Sequence, residues 1–137
     1  MSFYAYTDGS SKGNPGKGGW GAHISKNGKI FEIHGRKEMT TNNEMELTAS
    51  IKALEFFPEA VTIEIFTDSN YVLKGITQWI KAWKKNNWKT YNGGELKNKS
   101  LWLQLDKLNN FHNVKWTKVK AHSGIFGNER ADYLATF

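Results

Sequence analysis

The sequence predicts an α/β fold: a mixed five-stranded sheet, three antiparallel strands followed by two parallel ones, with helices packed on its faces. Two observations carry this. Asn27-Gly28 separates two runs of alternating character, Trp20/Ala22/Ile24 and Phe31/Ile33, which is the strongest short hairpin signal. Beyond residue 43, segments with apolar residues at helical spacing alternate with short β-favouring runs, giving the order β-β-β-α-β-α-α-β-α.

Each element has its own justification. Residues 3–8 are β-favouring and end at Asp8-Gly9, and the glycine-rich stretch 9–19 reads as a loop. The strands on either side of Asn27-Gly28 are antiparallel, and the first strand joins them. A helix is expected over residues 43–57, stopped by Pro58. Its start carries two overlapping capping-box patterns, Thr41 with Glu44 and Asn43 with Glu46. One acid suffices for a cap, so Glu46, beside the apolar run Leu47, Ala49 and Ile51, is either a cap partner or a ligand in a site. Residues 61–67 form a strand ending at Asp68. From Ser69, the spacing of Val72, Leu73, Ile76, Trp79, Ile80 and Trp83 predicts a second helix, with Gly75 a weak point that divides it. Residues 84–98 are polar and loop-like. Leu101, Trp102, Leu105 and Leu108 mark a third helix capped by Ser100. A strand over 114–119, a glycine-containing loop over 122–127 and a last helix over 128–137 complete the chain.

A chain of 137 residues suits one domain, taken as 1–137. A hydrophobic share of 39% with six Trp argues for a folded core, and a mean hydropathy of −0.61 without a long apolar run argues against a membrane span. The first residues pass straight into a strand pattern without the signature of a signal peptide. The absence of cysteine removes disulfides and thiolate metal sites, and a cytoplasmic protein is expected. The net charge of +6 points to an anionic partner, and its distribution says more. From Ser69 to Gly94 there are five lysines, no acid, and the aromatics Tyr71, Trp79, Trp83, Trp88 and Tyr91. That mixture fits a nucleic-acid surface.

The glycine-rich stretch is not a phosphate-binding loop: Gly16-Lys17 is followed by Gly18, not Ser or Thr, and a strand comes next. The acids are more informative. Asp8 and Asp68 each stand at a strand end, where α/β proteins build sites, although Asp-Gly is also a common turn and Asp-Ser a common helix start. If their strands are parallel neighbours, the two carboxylates emerge together, with Glu46 on the intervening helix. Crowded carboxylates repel one another and call for a cation, and an oxygen-only set selects Mg²⁺ or Mn²⁺. Two such ions suit phosphodiester hydrolysis. His122 is either an ordinary surface histidine or a mobile proton shuttle. Asp132 is either a fourth ligand or a solvated helix acid.

Several motifs in order resemble type 1 ribonuclease H, of the form that carries a basic protrusion. They are Tyr6-Thr7-Asp8-Gly9-Ser10 with Gly13-Asn14-Pro15-Gly16; Thr40-Thr41-Asn42-Asn43 with Met45-Glu46-Leu47; Thr67-Asp68-Ser69; Gly75-Ile76-Thr77-Gln78-Trp79-Ile80 with Trp83-Lys84-Lys85 and Trp88-Lys89-Thr90; and Val119-Lys120, His122-Ser123-Gly124 and Asn128-Glu129-Arg130-Ala131-Asp132. The resemblance spans essentially the whole chain. It implies the ribonuclease H-like fold and endonucleolytic cleavage of the RNA strand of RNA–DNA hybrids, leaving 5′-phosphate and 3′-hydroxyl ends. It implies Asp8, Glu46, Asp68 and Asp132 as ligands of two Mg²⁺ ions, for which Mn²⁺ substitutes, with His122 assisting proton transfer or product release. It assigns the RNA strand to Ser11, Asn14, Asn42, Asn43 and Asn70. It assigns the DNA strand to a phosphate pocket at Thr41 and Asn98 and a channel at Tyr71, Trp79 and Trp83. The basic protrusion, roughly residues 79–97, contributes Lys81, Lys84, Lys85 and Lys89. A monomer working on a hybrid, away from membranes, is expected.

Four departures from the family pattern stand out. Met39 and Glu44 occupy positions where arginine is often found, with Arg36 or Lys37 the nearest replacements for the phosphate pocket. Ala121 replaces a glycine before the loop histidine and is expected to stiffen that loop if the position needs glycine's freedom. The sequence ends five residues after Asp132, which places that acid near an expected fraying end. No separate hybrid-binding module is expected before the first strand.

Overall fold

Strand β1 (Phe3–Gly13) is the middle of a five-stranded sheet of order β3-β2-β1-β4-β5, formed with β2 (Gly16–Lys26), β3 (Lys29–Thr40), β4 (Thr62–Thr67) and β5 (Asn113–Lys118). β1, β2 and β3 are antiparallel in sequence, while β4 runs parallel to β1 and β5 parallel to β4. The computed structural model describes residues 3–136, so Met1, Ser2 and the end of the expected 128–137 helix at Phe137 lie outside the described residues. The β2–β3 turn has Asn27 and Gly28 both at positive φ, 53° and 83°, as the hairpin reading requires.

Both faces of the sheet are covered, because side chains alternate along a strand. On one face, Ala5, Ala22, Ile24, Ile63 and Ile65 pack against Leu47, Ile51 and Leu54 of α1 (Asn42–Glu55) and Trp102 and Leu105 of α4 (Lys99–Phe111). The other face of β1 carries Tyr6, which lies against Gly127 of α5 (Phe126–Thr136). Among the described residues no helix is long and apolar enough to cross a membrane.

The structure corrects several local expectations. The stretch 9–19 is not a loop: β1 and β2 pair continuously from Phe3↔Lys26 to Gly13↔Gly16. Of its glycines, only Gly13, at φ 88°, and Gly16 flank a turn, at Asn14-Pro15, whereas Gly9 lies directly under α1 and Gly19 under α5. The first helix ends at Glu55, ahead of Pro58, and the last begins at Phe126. α4 is preceded by Asn98 at φ 59° with no side-chain cap, not by Ser100. Gly75 does not divide the second helix. α2 (Asn70–Lys74) continues through a π-helical turn (Gly75–Trp79) into α3 (Ile80–Lys85).

Gly75 answers a packing demand. A Cβ there would stand 1.9 Å from the ring of Trp102, which is fully buried. Gly75→Ala gains helix propensity but forces the indole aside. It is expected to cost about 1–3 kcal/mol, read as a lower urea midpoint. An unchanged midpoint would mean that Trp102 repacks freely.

Candidate active site

The site begins where β1 leaves β4. Thr7↔Thr67 is the last pair the two strands share, so Asp8 and Asp68 follow side by side. β1 does not end there but continues with β2, which holds Asp8 rigidly in strand geometry. Glu46 arrives from above, because α1 crosses Gly9 so closely that a Cβ on this residue would lie 2.2 Å from the Met45 carbonyl carbon and 2.3 Å from Glu46 N. Carboxylate oxygens of Asp8, Glu46 and Asp68 all lie within 4.8 Å of one another. Asp8 and Glu46 are only 6% and 9% exposed.

Such crowding has electrostatic consequences. Burial, then the charge of Asp68, then the hydrogen bond and charge of Asp132, push Asp8 up to about 8, against a lowering by the Gly9 N–H that donates to Oδ1 at 3.0 Å. Burial, then the charges of Asp8 and Asp68, hold Glu46 well above the usual carboxylate range. Glu46 Oε1 is buried without a hydrogen-bond partner. A buried oxygen with no donor, facing two further carboxylates, fits a hard cation: the ion supplies the charge and ligand field that the protein withholds. Asp132 on α5 stands beside Asp8 but falls outside the mutual 4.8 Å limit of the triad.

The remaining expected residues fall into three groups around the triad. At the start of α1, the Ser11 N–H and Oγ donate to Asn42 Oδ1 at 2.6 and 3.1 Å, and the Asn42 N–H donates to Asn14 Oδ1 at 3.3 Å, while Asn43 is exposed on the first turn. Thr41 caps the helix by accepting from the Glu44 N–H at 3.1 Å. Glu44 does not close the capping box. Its carboxylate accepts from Thr40 Oγ1 at 2.6 Å and from Lys37. In the second group, Tyr71 Oη accepts from Asn98 Nδ2 at 3.2 Å and from Trp102 Nε1 at 3.1 Å, and the Tyr71, Trp79 and Trp83 rings follow one another at 5.7 and 6.0 Å. Thr41 and Asn98 thus each have a partner of their own. The third group is the protrusion. Lys81, Lys85 and Lys89 are exposed, whereas Lys84 pairs with Asp106 on α4 at 3.0 Å.

His122 is exposed on the turn after β5, with φ 55°. Ala121 is not among the positive-φ residues, so glycine's freedom is not needed there. In this turn that requirement falls on Gly124, at φ 85°. Met39 is 63% exposed, and neither candidate replacement stands in for its missing charge. Lys37 is paired with Glu44, and Arg36 donates to the Ala135 and Leu134 carbonyls at 2.6 and 3.0 Å. Arg36 thereby satisfies the last carbonyls of α5, so the expected fraying end is held.

Sequence reading missed three supports. Asn128, 2% exposed, donates to Asp68 Oδ2 at 3.3 Å. Lys118 Nζ donates to the Asp68 carbonyl and to Asn70 Oδ1. Glu32 receives Arg130 at 2.7 and 2.9 Å and binds His23 at 2.8 Å. Arg130 foremost, then His23, lower it to about 2 despite the opposing effect of burial. This network anchors α5, and with it Asp132, to the sheet. Its members lie far apart in sequence, and no local spacing signals them.

Three carboxylates gathered at the carboxyl edge of a mixed sheet, with an orphaned oxygen among them, define an α/β protein with a candidate metal site. Comparison with known proteins makes the class specific. Residues 1–137 match the RNase H family profile. The Ribonuclease H of Francisella tularensis subsp. novicida (strain U112) is 56% identical over 131 residues, covering 96% of this chain and 86% of that protein. The crystal structure of LC9-RNase H1, a type 1 RNase H with the type 2 active-site motif, superposes with a TM-score of 0.84 at 31% identity, covering 97% of this chain and 69% of that one. RNase H1 from the halophilic archaeon Halobacterium salinarum NRC-1 superposes with a TM-score of 0.69 at 29% identity, covering 98% of this chain and 95% of that one. The chain belongs to the ribonuclease H family, and it is a hydrolase acting on nucleic acid.

Proposed function

We propose that this chain, as one catalytic domain over residues 1–137, is an endonuclease that hydrolyses the RNA strand of RNA–DNA hybrids by a two-metal-ion route, leaving 5′-phosphate and 3′-hydroxyl ends. The observation that carries the reading is the buried triad of Asp8, Glu46 and Asp68 with its unpartnered Glu46 oxygen. These three acids with Asp132 would hold two Mg²⁺ ions, or Mn²⁺ in their place. When bound, the ions supply an activated water and neutralise charge on the phosphate and the leaving oxygen. The protein works as a monomer in the cytoplasm.

The chain's own groups do the rest. Ser11, Asn14 and Asn42 form one hydrogen-bonded cluster, and with Asn43 and Asn70 they offer polar groups to the 2′-hydroxyls of the RNA strand. The helix start at Thr41 favours a phosphate through the positive end of the helix dipole, although the Asn42 and Glu44 amides are already donated to Asn14 and Thr41. Tyr71 accepts two hydrogen bonds at its oxygen, which leaves its own O–H to donate to a DNA phosphate near Asn98. The half-buried Trp79 and Trp83 rings stack on deoxyribose, a sugar with no 2′-hydroxyl to desolvate. His122, on its exposed turn, carries a proton to or from the departing product. Together these demand ribose on one strand and tolerate deoxyribose on the other.

A cleavage panel of hybrid, duplex RNA and duplex DNA with Mg²⁺ and Mn²⁺ tests the reading. Cutting confined to the RNA strand of the hybrid supports it. Binding without cutting would make the chain a nucleic-acid-binding module instead, and efficient cutting of duplex DNA would make it a DNA nuclease.

The protrusion gives a graded expectation. Lys85→Ala and Lys89→Ala should each flatten the dependence of hybrid affinity on salt, by roughly 0.7–0.9 in log–log slope for each phosphate no longer neutralised. Lys84→Ala should do less, because its ammonium is paired with Asp106. Equal slopes for all three variants and the parent would remove the segment from the interface.

A further inference from the structure

Lys118 is the last residue of β5, and its Nζ reaches past the end of β4 to donate to the Asp68 carbonyl at 2.6 Å and to Asn70 Oδ1 at 3.0 Å. An ammonium has hydrogens to give and no lone pair to accept with. The Asn70 amide must therefore turn its oxygen to Lys118, which leaves its NH₂ group on the far side. Asn70 is exposed at the start of α2, two residues after Asp68, and its Nδ2 finds no acceptor among the described residues. Without Lys118, nothing would distinguish the two flipped orientations of that amide.

We propose that Lys118 is a positioning residue that locks the Asn70 amide with its NH₂ group presented to substrate, so that this position is a hydrogen-bond donor awaiting a ribose 2′-hydroxyl oxygen. The proposal rests on the hybrid-cleaving reading above and sharpens one of its interactions. A 2′-hydroxyl can meet either face of a free amide, so the lock creates no additional hydrogen bond. It removes the rotamer freedom that binding would otherwise cost, and it holds a donor ready where deoxyribose offers no partner. The Asp68 carbonyl makes the lock rigid, because it ties the ammonium to the same strand end that carries the carboxylate.

The test uses Lys118→Met, which keeps the aliphatic stem and removes the donors. Lys118 is exposed, and a thermal melt checks that the fold stands. In the free protein, the side-chain amide resonances of Asn70 should move on Lys118→Met and return with Lys118→Arg, which also only donates. In hybrid cleavage, KM should rise by about two- to tenfold, the scale of immobilising one side chain, with kcat changed less than about twofold. Lys118→Arg should recover most of that loss, and Lys118→Met should add nothing in an Asn70→Ala background. Additive losses, with a salt slope reduced by about one, would make Lys118 an independent phosphate ligand and overturn the proposal. An unmoved Asn70 amide would overturn it as well. If the parent chain fails to cut hybrids, the functional reading falls by itself, and the amide resonances still decide the lock.

Discussion

Asp8→Asn is expected to lower RNA-strand cleavage by about 10³-fold or more while leaving hybrid affinity in the presence of EDTA within about twofold of the parent. The substitution is nearly isosteric. The Gly9 N–H that donates to Oδ1 at 3.0 Å keeps an oxygen to bond, so the backbone beneath α1 has no reason to move. What disappears is one unit of negative charge from a set whose oxygens lie within 4.8 Å of each other. A hard cation loses a charged ligand, and the stabilisation it offers the reacting phosphate falls by several kcal/mol. Affinity for the hybrid comes from elsewhere: the Ser11–Asn14–Asn42 cluster, the aromatic rings and the exposed lysines. Cleavage within tenfold of the parent would remove Asp8 from the metal site. Loss of affinity alongside cleavage would mean that the carboxylate holds the substrate directly.

The convergence of Asp8, Glu46 and Asp68 was legible because these acids sit at positions that secondary-structure grammar makes visible. Asp8 and Asp68 each end a β-favouring run, and parallel pairing of those runs brings them together. Glu46 betrayed itself as an acid beside an apolar stripe. The glycines misled for a physical reason. Composition cannot tell a glycine that turns the chain from one that lies flat under a helix, and the separation that decides Gly9 is set by α1, some 36 residues on. Gly75 is the same case, decided by Trp102. Glu44 fitted a capping box by spacing, yet Lys37 and Thr40 on the preceding strand compete for its carboxylate and win. Arg36 on the α5 carbonyls and Glu32 with Arg130 span 98 or 99 residues of sequence, so only the folded chain shows what holds Asp132 in place.

Without divalent cations, the protein is expected to lose stability as pH rises from about 5 to about 8, opposite to the usual behaviour of carboxylates. The sign follows from Asp8. Its folded value of about 8 lies above the unfolded value of 3.8, so within that interval the folded state binds the proton and the unfolded state does not. Stability is therefore full below the unfolded value, falls by up to about 1.4 kcal/mol per pH unit, and levels off above the folded value, for a loss on the order of 4 kcal/mol between pH 5 and pH 8. Glu46, also raised, acts in the same direction. Glu32 and Glu44, both lowered, give stability that is present above about 4.5 and lost only as pH falls below it, so they stay constant across the window. Thermal or urea melts in EDTA at pH 5 and pH 8 measure the difference. Asp8→Asn should flatten most of it and raise the melting point of the metal-free protein at pH 8, because it deletes the repulsion along with the charge. Mg²⁺ should stabilise the parent at pH 8 far more than at pH 5, where protons already occupy the acids, and it should do little for Asp8→Asn. A parent whose metal-free stability holds level or climbs between pH 5 and pH 8 would mean that the three carboxylates are solvated well enough to ionise together. The orphaned Glu46 oxygen would then no longer call for a metal.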